Sequence, residues 1–349
     1  MTHETLFILG FLAFIAIILA LDLGIFSKKD HEVSFKEAGI MSIVMILLSL
    51  GFYTFLLFKG DYLHSIDSLE KLQEVIKRNQ HEIAIIPNDL AQSLALYRQN
   101  LGMEFLTGYV IEYALSVDNI FVIVLVFSAF NVPKIYYHRV LFWGILGAIV
   151  MRFIFIFAGA ALIREFDWIL YVFGAFLLFT GVKMFFSKDD EEKIDTHNHP
   201  VVKFASKFFA IHPRYEGNNF FHVKDGKKFI TPLFLVLLIV EFTDLIFAVD
   251  SIPAIFAVTK DPYIVFCSNI FAIMGLRSMF FLLVNVIHKF HYLKTGLALL
   301  LTFIGVKMLA HTQLKELGFS THHSLLIIVG ILVLSVVASL VFPKKEKIE

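Results

Sequence analysis

The chain has 349 residues, 58% of them hydrophobic and only 17% charged, with thirty basic side chains against thirty acidic ones. A soluble domain is about half apolar and a quarter charged. The composition therefore excludes a disordered chain, a nucleic-acid-binding protein and an ordinary soluble enzyme, and points to a polytopic membrane protein.

A helix needs about 20 mostly apolar residues to cross a bilayer. Nine such spans are read along the chain, all helical, because lipid leaves backbone groups nothing to bond except one another. The first, 5–26, follows Met1–Glu4, which carries no Lys or Arg, and no small-residue cleavage pattern comes after it. It is expected to stay in the membrane rather than act as a signal peptide. The second covers 38–58. The polar segment 59–103 is expected outside as a helical hairpin packed on the bundle. Asp67-x-x-Glu70 would cap its first helix, with Leu69, Leu72 and Ile76 on one face, and Pro87-Asn88-Asp89 marks a break before a second short helix. Spans three to five are 104–130, 138–162 and 167–186. A charged linker, 188–230, comes next and is expected to be mobile at Asp189–Pro200. His197 and His199 could hold a metal there, although a solvated loop is the simpler reading. Spans six to eight are 231–258, 263–287 and 293–311. The single cysteine, Cys267, lies in the seventh, which excludes an internal disulfide framework. The ninth span is 323–342. The chain thus divides into 1–58, 59–103, 104–187, 188–230, 231–311 and 312–349. With the N-terminus outside and the C-terminus cytoplasmic, cytoplasmic segments carry eighteen Lys and Arg and outer ones eight, as the positive-inside rule requires.

Two stretches of the chain repeat. Glu112-Tyr-Ala-Leu-Ser-Val-Asp118-Asn119-Ile120 matches Asp244-Leu-Ile-Phe-Ala-Val-Asp250-Ser251-Ile252, with an acid six residues before the Asp of Val-Asp in both. Arg152 then matches Arg277, and Gly181-Val-Lys-Met184 matches Gly305-Val-Lys-Met308. Each copy holds three spans, an odd number, so the copies enter the membrane from opposite sides. The expected fold is an all-α polytopic membrane protein with two inverted three-helix repeats, spans three to five and six to eight. Secondary transporters are built this way, with the substrate near the midplane between repeats.

Six acids fall inside spans: Asp22, Glu112, Asp118, Glu241, Asp244 and Asp250. Two arginines, Arg152 and Arg277, lie deep as well and are candidates for pairing with them. Each central Asp costs about 2.5–3.5 kcal/mol on the insertion scale, so a fold does not carry them for packing. Either a cation neutralises them or several hold protons, and a cation–proton exchanger would use both states. Glu112 and Asn119 share a helix face, as do Asp244 and Ser251, whereas Asp118 and Asp250 sit about 120° round from those upstream acids on ideal helices. Pro253 removes the hydrogen bond to the Val249 carbonyl, so a kinked or unwound turn there would re-aim Asp250. Carboxylate, amide and hydroxyl oxygens are hard donors that suit Mg²⁺, Ca²⁺ or Mn²⁺. Gly144, Gly147, Gly174 and Gly181 are expected to permit close helix contact. No His-Glu-x-x-His is present, because His31-Glu32 and His81-Glu82 lack the second histidine. The chain is not expected to be an enzyme or to need a catalytic cofactor.

The chain resembles the TerC family of integral membrane proteins. The resemblance lies in Ala20-Leu-Asp22-Leu, Phe105-Leu-Thr-Gly-Tyr109, Ser116-Val-Asp-Asn-Ile-Phe121, Gly144-Ile-Leu-Gly-Ala-Ile-Val-Met-Arg152, the run from Phe166 to Met184, Phe247-Ala-Val-Asp-Ser-Ile-Pro-Ala-Ile-Phe-Ala-Val258 and Gly305-Val-Lys-Met308. It implies export of Mn²⁺ across a bacterial inner membrane by paired three-span units. The family's acidic positions fall on Asp22, Glu112, Asp118, Asp244 and Asp250, and Glu241 matches too. Segment 59–103 is longer than the family leads one to expect. The partners implied are a divalent metal ion, protons and the lipid bilayer, with no nucleic acid. Two other readings stay open: a Ca²⁺/H⁺ exchanger of the same fold, and a membrane scaffold of a stress complex whose acids hold a structural ion.

Overall fold

The computed structural model describes residues 3–26, 33–166, 168–186, 200–224, 226–284 and 292–342. The apolar runs all become helices: α1 (His3–Phe26), α2 (Phe35–Lys59), α3 (Leu69–Asn79), α4 (Leu90–Ala129), α5 (Tyr137–Glu165), α6 (Ile169–Phe186), α7 (Pro200–Phe208), α8 (Pro232–Phe256), α9 (Pro262–Leu283), α10 (Leu293–Leu309), α11 (His311–Glu316) and α12 (Thr321–Val341). Seven helices of the described residues are long and apolar enough to cross a membrane: Phe35–Leu63, Leu90–Ala129, Lys134–Glu165, Ile169–Phe186, Pro232–Phe256, Pro262–Leu283 and Thr321–Val341. The other two expected spans are helical but shorter in their apolar length, Thr5–Leu21 on α1 and the 17 residues of α10. The described helices therefore do not establish a count of nine.

Helix α9 is the centre of the bundle, and every residue from Ile264 to Phe281 is buried. Around it pack α2, α4 and α5, while α8 lies against α4 and α5. Phe11, Phe52, Phe105 and Phe271 form an aromatic knot against the middle of α9, with Phe52–Phe105 centroids 5.0 Å and Phe52–Phe271 centroids 5.1 Å apart. Helices α6 and α10 pack closely along their length. Glycines make that contact possible: a Cβ on Gly305 would stand 2.5 Å from the Leu178 backbone nitrogen and 2.8 Å from the Gly174 carbonyl oxygen. Without a hydrophobic drive between helices in lipid, such close van der Waals contact is what holds them.

Three local readings differ from the sequence expectation. Ser68, not Asp67, caps α3, accepting a 3.2 Å hydrogen bond from the Lys71 amide. Asp89 does cap a helix, through the Gln92 amide at 2.9 Å, but that helix is no separate hairpin arm. No Gly or Pro breaker lies between Leu90 and Ala129 strong enough to stop it, so α4 runs on for 40 residues. Helix α8 stays helical through Asp250 and Pro253 to Phe256, so no turn unwinds beside Asp250. The linker also holds structure that an all-helical reading passes over. Strands β1 (Ala210–Ile211), β2 (Phe221–Lys224) and β3 (Lys227–Ile230) form a small sheet in the order β1-β3-β2, β1 parallel and β2 antiparallel to β3. His197 and His199 lie outside the described residues.

Candidate metal centre between the membrane helices

Helices α4 and α8 carry the acids, and α5 carries the cation that meets them. Glu112 and Arg152 are both 0% exposed. Arg152 Nη1 donates to Glu112 Oε1 at 2.5 Å, to Asn269 Oδ1 at 2.7 Å and to Ser251 Oγ at 3.2 Å, and its Nη2 reaches Asp244 Oδ1 at 3.4 Å. Asn269 Nδ2 donates to Glu112 Oε2 at 3.1 Å. One planar guanidinium with its fixed fork of donors can serve several acceptors at once, and here it bridges Glu112 and Asp244. Those are the equivalent acids of the two sequence copies.

The second equivalent pair is treated differently. The charge of Asp118 reaches Asp250 and repels it. Asp250 Oδ1 and Asp244 Oδ2 are buried with no hydrogen-bond partner among the described residues. A buried carboxylate oxygen left so is costly, and a cation or a proton would satisfy it. A cavity of about 30 Å³ opens beside Asp244, lined by Asn119 and Thr243 on its polar side and by Ile145, Val240 and Phe247 on its apolar side. It has room for a guest of about the size of one water.

The remaining predicted residues take their places around this centre. Asn119 and Ser251 are buried, Asn119 against the cavity and Ser251 against Arg152. Glu241, one turn before Asp244 and within reach of its charge, lies against α5 at Gly147, where any Cβ would overlap its carboxylate. The absence of a side chain at Gly147 leaves the room that the acid occupies. Arg277 is buried on α9 about two turns beyond Asn269, at 2% exposure. Asp22 falls within α1, but its side chain lies outside the described residues. The structure thus gathers Glu112, Asp244, Ser251 and Arg152 into one network and sets Asn119 and Glu241 at its edge. Asn269 was not singled out from the sequence. Its signal is the pair Ser268-Asn269 in the middle of an apolar span, since a buried amide must find partners.

A second polar network pins segment 59–103 to the bundle. His64 Nε2 lies 2.6 Å from Asp261 Oδ2, at the N-cap of α9. His81 Nδ1 lies 2.9 Å from Glu104 Oε1, and Asn100 and Thr259 each donate to Glu104 at 2.6 Å. Burial by itself would lower the pKa of the His81 imidazole, but the charge and hydrogen bond of Glu104 and the nearby Asp261 carboxylate, 3.6 Å from Nε2, outweigh it and raise it to about 10. Burial likewise opposes ionisation of Asp261, yet His64 and then His81 outweigh it and hold its carboxyl well below the usual range. Beside this network a cavity of about 290 Å³ is lined by Glu82, Glu104, Lys260, Lys307 and His311. Two histidines and an acid at the start of a span are the signal in the sequence, although their mutual contact is not legible there.

Comparison with known proteins places the chain among membrane proteins. The family described as "Integral membrane protein TerC family" matches residues 97–347. A Myxococcus xanthus protein named "Uncharacterized membrane protein STKORF319" is 44% identical over 332 residues, which covers 95% of this chain and 91% of that protein. The "Putative membrane-bound redox modulator Alx" of Salmonella typhi is 46% identical over 301 residues, covering 86% of this chain and 84% of that one. Its namesake in Escherichia coli strain K12 is 45% identical over the same shares. No solved structure matches the chain.

Proposed function

The chain belongs to the TerC family of integral membrane proteins, and from that premise we propose that it is a secondary transporter that exports divalent metal cations, Mn²⁺ foremost, in exchange for protons. The observation that carries the proposal is how the equivalent acids of the two copies converge. Arg152 bridges one pair, Glu112 and Asp244. In the other pair, Asp118 and Asp250, the Oδ1 oxygen of Asp250 is buried and accepts no hydrogen bond among the described residues. Two such carboxylates within membrane helices are costly unless a cation or protons neutralise them. Binding one and then the other is the work of an exchanger. Asp118, Asp250, Asn119 and the Oδ2 oxygen of Asp244 are the ligands assigned to the ion, with Glu241, Ser251 and Asp22 around them. Oxygen donors of this kind suit Mn²⁺ or Ca²⁺. The helix pairing supports a two-copy architecture. Exchange of the copies turns the α4–α9 contact into α8–α5, and α6–α10 maps onto itself. The distribution of Lys and Arg supports a bacterial inner-membrane topology with the N-terminus outside.

The test is Mn²⁺ flux in proteoliposomes with and without an imposed pH gradient, comparing wild type with Asp118→Asn/Asp250→Asn. Gradient-dependent flux in wild type and its loss in the variant are expected. Unimpaired flux in the variant would remove these two residues from the site. Flux of Ca²⁺ that Mn²⁺ fails to inhibit would replace manganese with calcium as the cargo.

A further inference from the structure

The small sheet between α7 and α8 builds a second centre from side chains that the transport reading does not use. Side chains alternate across a strand. In the registered row Ala210–Phe229–His222 all three point to one face, and Ile211–Ile230–Phe221 point to the other. The second row is apolar. With Ala205 of α7 and Leu235 of α8, Ile230 and Ile211 seal that face. The first row faces away from the helices, and His212, one residue past β1, returns to it: its amide donates to Ile230 O at 2.8 Å. His212 and His222 therefore stand side by side across β3, ring centroids 4.6 Å apart.

A loop brings a carboxylate to the same place. His212 Nε2 lies 3.8 Å from Glu216 Oε1, and His222 Nδ1 lies 3.9 Å from Glu216 Oε2. One donor atom from each residue falls within 4.8 Å of the others. Three ligands at about 2.0–2.1 Å from a tetrahedral ion stand about 3.4 Å apart, so a contraction of roughly an ångström closes the set. The loop is anchored at both ends. The Tyr215 hydroxyl donates to Phe130 O at 2.8 Å at the end of α4, and Thr231 Oγ1 donates to Asn219 O at 2.7 Å. Gly217 takes the positive φ of +57° that the turn after Glu216 requires. In the shorter of its two contacts with Arg214, His212 Nδ1 lies 3.0 Å from the carbonyl oxygen. With its proton on Nδ1, the ring donates to that carbonyl and turns the Nε2 lone pair toward Glu216. A hydrogen bond of this kind from the far nitrogen orients metal-ligating histidines generally.

We propose that His212, Glu216 and His222 form a binding site for a borderline transition-metal cation, Zn²⁺ being the best fit. Two imidazoles and one carboxylate favour Zn²⁺ over Mn²⁺, which stands at the weak end of the divalent series. The all-oxygen centre between the membrane helices has the opposite preference. The three side chains are 13%, 38% and 29% exposed, so an ion reaches them from solution and keeps an open position for water. The last residue of the sheet, Ile230, is followed by the Thr231 N-cap and Pro232 of α8, the helix that carries Glu241, Asp244 and Asp250. A bound ion would stiffen the entry to that helix.

The test uses untagged full-length protein in detergent micelles, stripped of metal and titrated with Zn²⁺ alone by calorimetry, with Co²⁺ as an optical probe. Wild type is expected to bind one tight equivalent and to give the visible absorption of Co²⁺ in a nitrogen–oxygen ligand field. His212→Ala/His222→Ala should lose both, with at least a hundredfold weaker binding, while Asp118→Asn/Asp250→Asn keeps them. Tight Zn²⁺ binding that survives His212→Ala/His222→Ala would overturn the proposal, and so would wild type that binds no Zn²⁺. Both outcomes are independent of whether the protein transports Mn²⁺.

Discussion

Replacing Arg152 with methionine removes the cation but keeps much of its volume. Arg152 donates to Glu112, Asn269, Ser251 and Asp244 and is 0% exposed. Breaking a buried ion pair by deleting one partner costs about 3–5 kcal/mol, because the other charge stays buried and unpaired. Glu112, also 0% exposed, would keep the 3.1 Å hydrogen bond from Asn269 and the neighbouring Ser251 hydroxyl, but no cation. Asp244, its side chain 15% exposed, is partly screened already and adds less. Arg152→Met alone should therefore cost about 3–4 kcal/mol. Glu112→Gln leaves the guanidinium with Asp244 and Asn269 and should cost about 1–3 kcal/mol. In the double variant no charge is stranded at position 112, so the two losses should fall short of their sum by about 1–3 kcal/mol. Unfolding followed by the fluorescence of Trp143 and Trp168 in detergent measures all four species. A fall in Tm on the order of 6–16 °C is expected for Arg152→Met, since 1 kcal/mol moves Tm by roughly 2–4 °C in domains of 150–250 residues. Arg152→Met melting with wild type, or strict additivity in the double variant, would show that Glu112 does not depend on Arg152.

Gly305→Ala drives a Cβ to 2.5 Å from the Leu178 backbone nitrogen and should cost about 1–3 kcal/mol by forcing α6 and α10 apart. Gly330→Ala, where nothing lies within 4 Å, should leave Tm unchanged or raise it, and equal losses at both sites would refute the packing argument. The folded state holds the pKa of His81 at about 10 against an ordinary 6.5. The stability from its imidazolium is then complete below pH 6.5 and fades as the pH climbs through about 10. Asp261, held well below the usual carboxylate range, stays ionised throughout that window and adds no slope. The Tm of wild type should fall across it, and that of His81→Gln should fall less; parallel pH profiles would show that His81 is not protonated in the fold.

The helices were legible because lipid makes the demand on the backbone absolute: an apolar run near Phe105–Phe130 has no alternative to a helix. The outer end of α4 was not legible as continuous. Hydropathy changes at Glu104 while helix-forming tendency does not, so the same helix leaves the membrane without a break. Pro253 shows the reverse. It is a breaker by local rules, yet α8 continues through it, and Ser251, Ile252 and Ala254 around it are all buried in the bundle. The small sheet had a readable cue in Asp225-Gly226 between Lys224 and Lys227, the dipeptide of a two-residue hairpin, hidden by the surrounding charge.

From the sequence alone came the inventory of the centre: which acids and arginines lie within the spans, that the stretches carrying them match one another, and that their oxygens are hard donors. Burial cost attaches to residue type and to position within a span, and both are written in the chain. Partner choice is not. That Arg152 bridges Glu112 to Asp244, that Asn269 completes the bridge, that Gly147 makes way for Glu241, and that His212 meets His222 across β3 all depend on how distant segments cross. Helix crossing and strand register place atoms to within an ångström, and hydrogen bonds and ion pairs are decided at that scale.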